Sequence, residues 1–459
     1  MSNKDSLLQK IREGAELTRG EQIRLVGYLS VPAMLSQIST IVMEYIDAAM
    51  VGSLGAHASA SIGLVSTSTW LFGGLCHSVA VGFYVQVAHQ IGANRFGEAR
   101  HILRQSLLCA LTFALLLAGI GIGIAPFLPG WLGGEPDIQA DASLYFGIFA
   151  AMMPFIMLMA LSAGMLRSSG NIKVPSILNV VACALDVVFN YIFIFRLDMG
   201  VKGAAIGTAL AYSVCAVYLL YYLVCKSKAL KLAQDSSTYK PQLRIVRKWW
   251  HISWPMSLEH FVMCGAQIAS TVIIAPLGTI AIAANAFGII VESLCYMPGH
   301  GVADAATTLV GQSLGAERPK LARSFAYITV GTGIAVMTFM GILMFVFAPQ
   351  VMSFMTPDET VQALTSQVLR IEAFAEPMYA ASIVCYGVFV GAGDTLIPCG
   401  MNLGSIWVVR ISLALLFTKV LCWGLVGYWV AMALELLFRG TIFLYRLHGH
   451  SWQKKIDKI

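Results

Sequence analysis

Four polar residues, Ser36, Thr40, Glu44 and Asp47, recur at spacings of 4, 4 and 3 within Val26–Gly52, a stretch that is otherwise apolar. On an α-helix these spacings put all four on one face. A carboxylate at the centre of a bilayer costs roughly 2.5–3.5 kcal/mol on insertion scales. A face carrying Glu44 and Asp47 is therefore expected to line an internal chamber that water can reach. Two carboxylates three residues apart in a poorly solvated site repel each other, and the pair is relieved when one takes a proton or exchanges it for a metal cation.

A second set of oxygen-bearing residues lies further along. Asp186 and Asn190 are four residues apart, with Asn179 about two turns earlier on an adjacent helical face. With Asp47 they offer oxygen ligands for a hard cation such as sodium, or a hydrogen-bonded site for a proton. The plainer reading is a structural hydrogen bond between two helices. In the second half of the chain Glu372 and Glu376 stand four apart near Arg370, and Arg410 follows Asn402 by about two turns. Removing one member of a buried ion pair costs about 3–5 kcal/mol, so Arg410 is expected to pair with Glu376 or Glu372. Glu259 and Gln267, two turns apart, are candidates to line the same cavity, whereas Glu435 and Arg439 read as a self-satisfied i, i+4 pair. Glu292 and Asp304 read equally as structural or functional. His77 and His300 suggest a proton relay, or two histidines satisfied by backbone carbonyls. Met152, Met153, Met157 and Met159, with Phe146, Phe149, Phe155 and Tyr191, offer soft and aromatic surface for flat organic cations, or ordinary packing.

The elements that must position these residues follow from composition. Of 459 residues, 58% are hydrophobic and 12% charged, with a mean hydropathy of +0.74; this is a membrane protein. The alternation of a transmembrane barrel is absent, which leaves helices as the means of satisfying the backbone in lipid. Apolar runs of spanning length predict twelve helices, at about 27–52, 59–90, 105–130, 143–166, 175–195, 204–225, 251–276, 281–312, 324–348, 365–391, 398–418 and 424–445. The first 25 residues show no removable signal. Of 30 Lys and Arg residues, 24 fall on the side of the N-terminus, three on the other side and three inside helices (Arg370, Arg410 and Arg439). That bias predicts a multi-pass inner-membrane protein with both termini cytoplasmic. The net charge of +6 then reflects membrane topology and gives no reason to expect nucleic acid. The ten cysteines show no metal-type spacing and read as small buried hydrophobes.

The chain also matches itself at an offset of 223 residues. Pro32, Pro126, Pro154 and Pro175 answer Pro255, Pro349, Pro377 and Pro398, four coincidences where chance gives a small fraction of one. His77 answers His300, Asn179 answers Asn402, and IGANRFGEAR at 91–100 answers LGAERPKLAR at 314–323. Six helices per half is an even number, so both halves insert the same way up, as a parallel repeat. The expected organisation is an N-lobe at 1–225, a cytoplasmic linker at 226–250 and a C-lobe at 251–459.

YIDAAMVGSLGA at 45–56, the Gly-Ala-Xaa-Arg hinges, RSSGNIKVP and GAGDTLIP, and LDVVFNYIFIF followed by GVKGAA together resemble the multidrug and toxic compound extrusion (MATE) transporters over essentially the whole chain. The resemblance implies an all-α membrane fold of twelve helices in two pseudo-symmetric six-helix lobes. It also implies a monomeric secondary antiporter that exports amphiphilic, often cationic compounds in exchange for sodium ions or protons, with no cofactor. It assigns Asp47 to the first-helix acid used for coupling, beside Glu44, Asp186, Asn190 and Asn179, and makes Glu259, Gln267, Glu376, Tyr379, Asn402 and Arg410 candidates for substrate contact. The family's fifth-helix pair is swapped here, Asp186 preceding Asn190. Glu259 lies only four residues after Pro255, and Tyr379 stands where one branch carries an Asp.

No GxxxxGK[ST] motif occurs, so transport must draw on an ion gradient, worth about 2.3 kcal/mol per charge per 100 mV. Short loops argue against a membrane-embedded enzyme. A flippase for lipid-linked anionic sugars, from the same superfamily, needs a cationic cavity, which the three intramembrane arginines alone must supply.

Overall fold

The computed structural model describes residues 3–234, 242–449 and 451–454. A short helix, α1 (Asn3–Arg12), precedes α2 (Arg19–Gly52), α3 (Ala56–Gly92), α4 (Phe96–Ile124), the single turn α5 (Leu128–Trp131), α6 (Pro136–Ala151), α7 (Met153–Ser168), α8 (Lys173–Tyr191) and α9 (Gly200–Tyr221). The second half runs through α10 (Leu243–Ile274), α11 (Thr279–Gly315), α12 (Pro319–Met355), α13 (Glu359–Ala373), α14 (Glu376–Gly391), α15 (Leu396–Gly404), α16 (Ile411–Leu415) and α17 (Gly424–His448). Among the described residues, ten helical stretches are long and apolar enough to cross a membrane, and two bent pairs, each taken as one span, bring the number to twelve. The bends fall at equivalent places, 45° between α6 and α7 and 58° between α13 and α14. Each is followed at once by a proline, Pro154 or Pro377, whose ring and missing N–H break the helical ladder.

The chain packs as two units: Met1–Ala15 with Ser39–His260, and Glu16–Ile38 with Phe261–Ile459. These differ from lobes counted along the sequence because the first halves of α2 and α10 each pack in the unit of the other repeat. In unit 1, Trp249 of α10 stacks on Phe83 of α3 (centroids 5.3 Å apart, 10° between planes), and its indole N–H donates to the Val79 carbonyl at 3.1 Å. The linker expected at 226–250 is therefore helical from Leu243 onward, and its residues 235–241 lie outside the described residues. In unit 2, α2 runs so close to α11 that a Cβ on Gly301 would come within 2.6 Å of the Met34 nitrogen.

Each unit is built around its second span. Ser78–Ala88 of α3 and Ala305–Leu314 of α11 are buried on every side, as apolar all-round helices must be.

The backbone repeats with the sequence. Left-handed residues recur in pairs: Gly55 and Gly278 (φ 108° and 97°), Asn94 and Glu317 (60° and 58°), Gly170 and Gly393 (87° and 76°), and Asp198 and Cys422 (51° and 54°). Three pairs keep the offset of 223, and the last is one residue longer. The extra residue falls in the eleventh span, where α15 and α16 are joined by a π-helical turn, Ser405–Arg410, while its counterpart α8 is α-helical throughout. A π turn is how a helix absorbs one inserted residue.

Candidate functional site

In unit 1, α8 runs parallel to the second half of α2, and two rungs join them. Asn179 donates its amide N–H to Thr40 Oγ1 at 2.9 Å. About three turns further along α8, Asn190 Nδ2 donates to Asp47 Oδ1 at 3.0 Å and lies 3.3 Å from Asp186 Oδ2 and 3.4 Å from Thr208 Oγ1 on α9. Asp186 and Asn190 are buried, at 0% and 1% exposure. The Asn190 side chain fits only because residue 207 of α9 is glycine. Tyr145 and Tyr212 stand within electrostatic reach of the same acids.

This arrangement is short of hydrogens. The Asn190 amide brings two N–H donors and the Thr208 hydroxyl one O–H to the four oxygens of two carboxylates, and Asp186 Oδ1 is left buried with no hydrogen-bond partner. An unmet buried carboxylate oxygen is costly, and a proton on the pair or a small cation between the acids meets the need. A proton fits with no rearrangement. Sodium would need the Asn190 amide to turn over and present its oxygen, and Asp47, Asp186 and Asn190 would then be its ligands, with Thr208 beside them.

Glu44 stands beside this site, with Asp47 as an electrostatic neighbour. Its side chain is exposed, and the polar stripe on α2 is divided, with Ser36 buried in unit 2 and Thr40 and Asp47 turned toward α8.

In unit 2 the expected pairing of Arg410 with Glu376 or Glu372 is wrong. Arg410 instead holds Glu435 of α17, with Nη2 2.6 Å and Nε 3.1 Å from Oε2. Arg410 ends the π turn, which aims it at α17, and Ser405 at the start of the same turn donates to the other oxygen of Glu435. Arg439 closes the cluster, its Nε 3.0 Å from Glu435 Oε1, so Glu435 and Arg439 pair as the i, i+4 spacing indicated. Arg439 also lies over the Tyr379 ring at 5.5 Å, and Tyr379 packs against Tyr296 with centroids 5.4 Å apart. In the register that follows the inserted residue, Arg410 occupies the place that Asp186 holds in unit 1.

Glu372 and Glu376 flank the α13–α14 bend at 0% exposure. All four of their carboxyl oxygens lack a hydrogen-bond partner. Glu292 of α11, 7% exposed, is an electrostatic neighbour of both. The sequence placed Glu372 and Glu376 together but offered no signal that Glu292, some 80 residues earlier, joins them.

The remaining candidates are spread out. Glu259 is half-buried in unit 1, Gln267 is exposed in unit 2, and Asn402 is half-buried on α15. His77 has His260 as an electrostatic neighbour, whereas His300 packs edge-on to Tyr296 at 6.0 Å, so the repeat-related histidines have different surroundings. Met152, Met153, Met157 and Met159 are buried.

Comparison with known proteins agrees with this geometry. Residues 32–192 and 255–416 match the family model MatE, the second match one residue longer than the first. A probable multidrug resistance protein NorM of Thermotoga maritima is 26% identical over 441 residues, covering 93% of this chain and 92% of that protein. A protein of the same name in Bacillus anthracis is 24% identical over 438 residues, covering 93% and 95%. Among solved structures, a MOP superfamily transporter from Pyrococcus furiosus has a TM-score of 0.90 at 20% identity, covering 98% of this chain and 99% of that one. The Vibrio cholerae MATE transporter VcmN has a TM-score of 0.85 at 19% identity, covering 100% and 99%. These likenesses show that the fold is shared.

Proposed function

The chain belongs to the MatE family of transporters, and from that premise we propose that it is a multidrug antiporter. It exports amphiphilic, often cationic organic compounds across the inner membrane in exchange for sodium ions or protons, working as a monomer with both termini in the cytoplasm. The relatives named as multidrug resistance proteins support the substrate class, and the bias of Lys and Arg between the two sets of loops supports the orientation.

The observation that carries the coupling is the donor shortage at Asp47, Asp186 and Asn190. A proton or cation arriving there supplies the missing positive charge, loosens the hold of the Asn190 amide on Asp47, and so changes how α2 packs on α8. An ion can drive transport only by binding one packing better than the other, and the Asp47–Asn190 hydrogen bond is the contact in unit 1 that such binding would alter. Alternating access follows if drug and ion favour opposite packings. The flippase reading loses its support, since Arg410 and Arg439 are both engaged by Glu435.

The test is efflux of a fluorescent cationic dye from vesicles with sodium and pH gradients imposed separately, for wild type, Asp47→Asn and Asp186→Asn. One gradient is expected to drive efflux by the wild type and to fail with both variants. Full gradient-driven efflux by Asp47→Asn would sink the proposal.

A further inference from the structure

At the end of α12 farthest from its basic N-terminal hinge, unit 2 carries an open lateral groove of about 800 Å³ between α13 and α17, with Pro349 of α12 at its edge. One wall is apolar, formed by Val430, Ala433 and Leu434 of α17. The other is the face of α13 on which Gln362, Ser366 and Arg370 follow one another at four-residue intervals, continued by Phe374 just past its end, with Gln367 and Ile371 beside them. These are the side chains of a helix that, with α14, forms one bent membrane span.

Arg370 is the anomaly. Its side chain is exposed, and its contacts are a donation from Nε to the Phe345 carbonyl at 3.2 Å and stacking over the Phe345 ring at 5.6 Å. Neither brings a negative charge, and its two terminal nitrogens have no acidic partner among the described residues. The carboxylate of Glu359, which also borders the groove, is three helical turns away, about 16 Å along α13. A guanidinium inside a membrane span is stabilised by an anion or by reaching the headgroup level. Gln367 is exposed on the adjoining stripe and takes no hydrogen bond among the described residues. Below Arg370 the lining turns apolar at Ile371 and at Phe374, which is 72% exposed.

We propose that this groove holds one anionic glycerophospholipid, its phosphodiester on Arg370 and Gln367 and an acyl chain along Phe374, Ile371 and Leu434. Guanidinium and phosphate make charge-assisted, bidentate hydrogen bonds, and the apolar lining that follows Arg370 suits the acyl chain attached to such a phosphate. The site does not include the buried carboxylates of either unit and does not depend on which compounds are transported.

The test is native mass spectrometry of the purified full-length protein in detergent with phosphatidylglycerol or phosphatidylcholine of the same chain length. Wild type is expected to retain phosphatidylglycerol about tenfold better, and Arg370→Gln to lose that preference. Equal retention of the two lipids, an unchanged preference in Arg370→Gln, or displacement of the lipid by millimolar inorganic phosphate would each overturn the proposal. Wild-type protein gives an independent reading should the variant misfold: a photoactivatable phosphatidylglycerol should crosslink to residues 367–374 or 430–434, and crosslinks confined elsewhere would overturn it.

Discussion

Gly207 and Asn190 are in such close contact that a Cβ at 207 would stand 2.1 Å from Asn190 Oδ1 and 2.9 Å from its backbone nitrogen. The amide bridging Asp47 and Asp186 therefore owes its position to the absence of a side chain on α9. Gly207→Ala is expected to displace Asn190 and to lower gradient-driven efflux at least about tenfold, about 1.4 kcal/mol of coupling. Overpacking should lower stability by about 1–3 kcal/mol. Adding Asn190→Ala to Gly207→Ala should recover only part of the melting temperature while efflux stays low, because the contact with Oδ1 is removed but the 2.9 Å approach to the Asn190 backbone nitrogen remains and the bridge is lost. Recovery of both would mean that Gly207 serves packing alone.

Asp47 and Asp186 share one donor, so they are expected to act as a unit. In a double-mutant cycle, Asp47→Asn and Asp186→Asn should each abolish most ion-driven efflux, and the double variant should be no worse than the poorer single variant. Losses that multiply would place the two acids in separate sites. Initial efflux rates in vesicles at a fixed gradient give the comparison.

How much of this was written in the sequence depends on the range of the interaction. The spans were legible because each buries its own backbone hydrogen bonds and needs only an apolar run of sufficient length. The repeat was legible through Pro154 and Pro377, whose effect on a helix is local, and the structure bends the chain at both. Asp47, Asp186 and Asn190 were suspected as a group because acids in hydrocarbon have few alternatives to one another. The partner of Arg410 was not legible. Helical spacing orders residues on one helix, but which neighbouring helix Arg410 faces depends on the π turn at Ser405–Arg410, and the inserted residue that produces it shows only as a slip in the repeat from 223 to 224. Glu44 keeps Asp47 as an electrostatic neighbour, as the spacing indicated, but the hydrogen bonds to α8 run from Thr40 and Asp47. The exchange of the first halves of α2 and α10 between the units has no local signal, since an apolar helix reads the same whichever neighbours cover it.

Glu435 is bound by Arg410 and Arg439 and by the Ser405 hydroxyl, all in the interior of unit 2. Glu435→Gln leaves two buried guanidinium groups facing a neutral amide. The expected loss is about 3–5 kcal/mol, the range for breaking a buried pair from one side. It should appear as reduced yield of folded protein and a lower melting temperature in detergent. Replacing all three charged residues with apolar side chains of similar volume should recover most of that loss. A Glu435→Gln protein as stable as wild type would show that the cluster contributes nothing to the fold.

Glu372 and Glu376 should behave differently, although they are buried as deeply as Glu435. Neither carboxyl accepts a hydrogen bond or touches Arg410, so Glu372→Gln and Glu376→Gln remove no ion pair and strand no guanidinium. The expected change in stability is within about 1 kcal/mol of wild type for each, against several for Glu435→Gln. Any effect should fall on transport, where these two acids, with Glu292 beside them, offer unused capacity for a proton or a cationic substrate. Melting temperature and dye efflux measured on the same preparations separate the two cases. Lost stability with intact efflux would assign Glu372 and Glu376 to the fold, and the opposite pattern would assign them to the transport cycle.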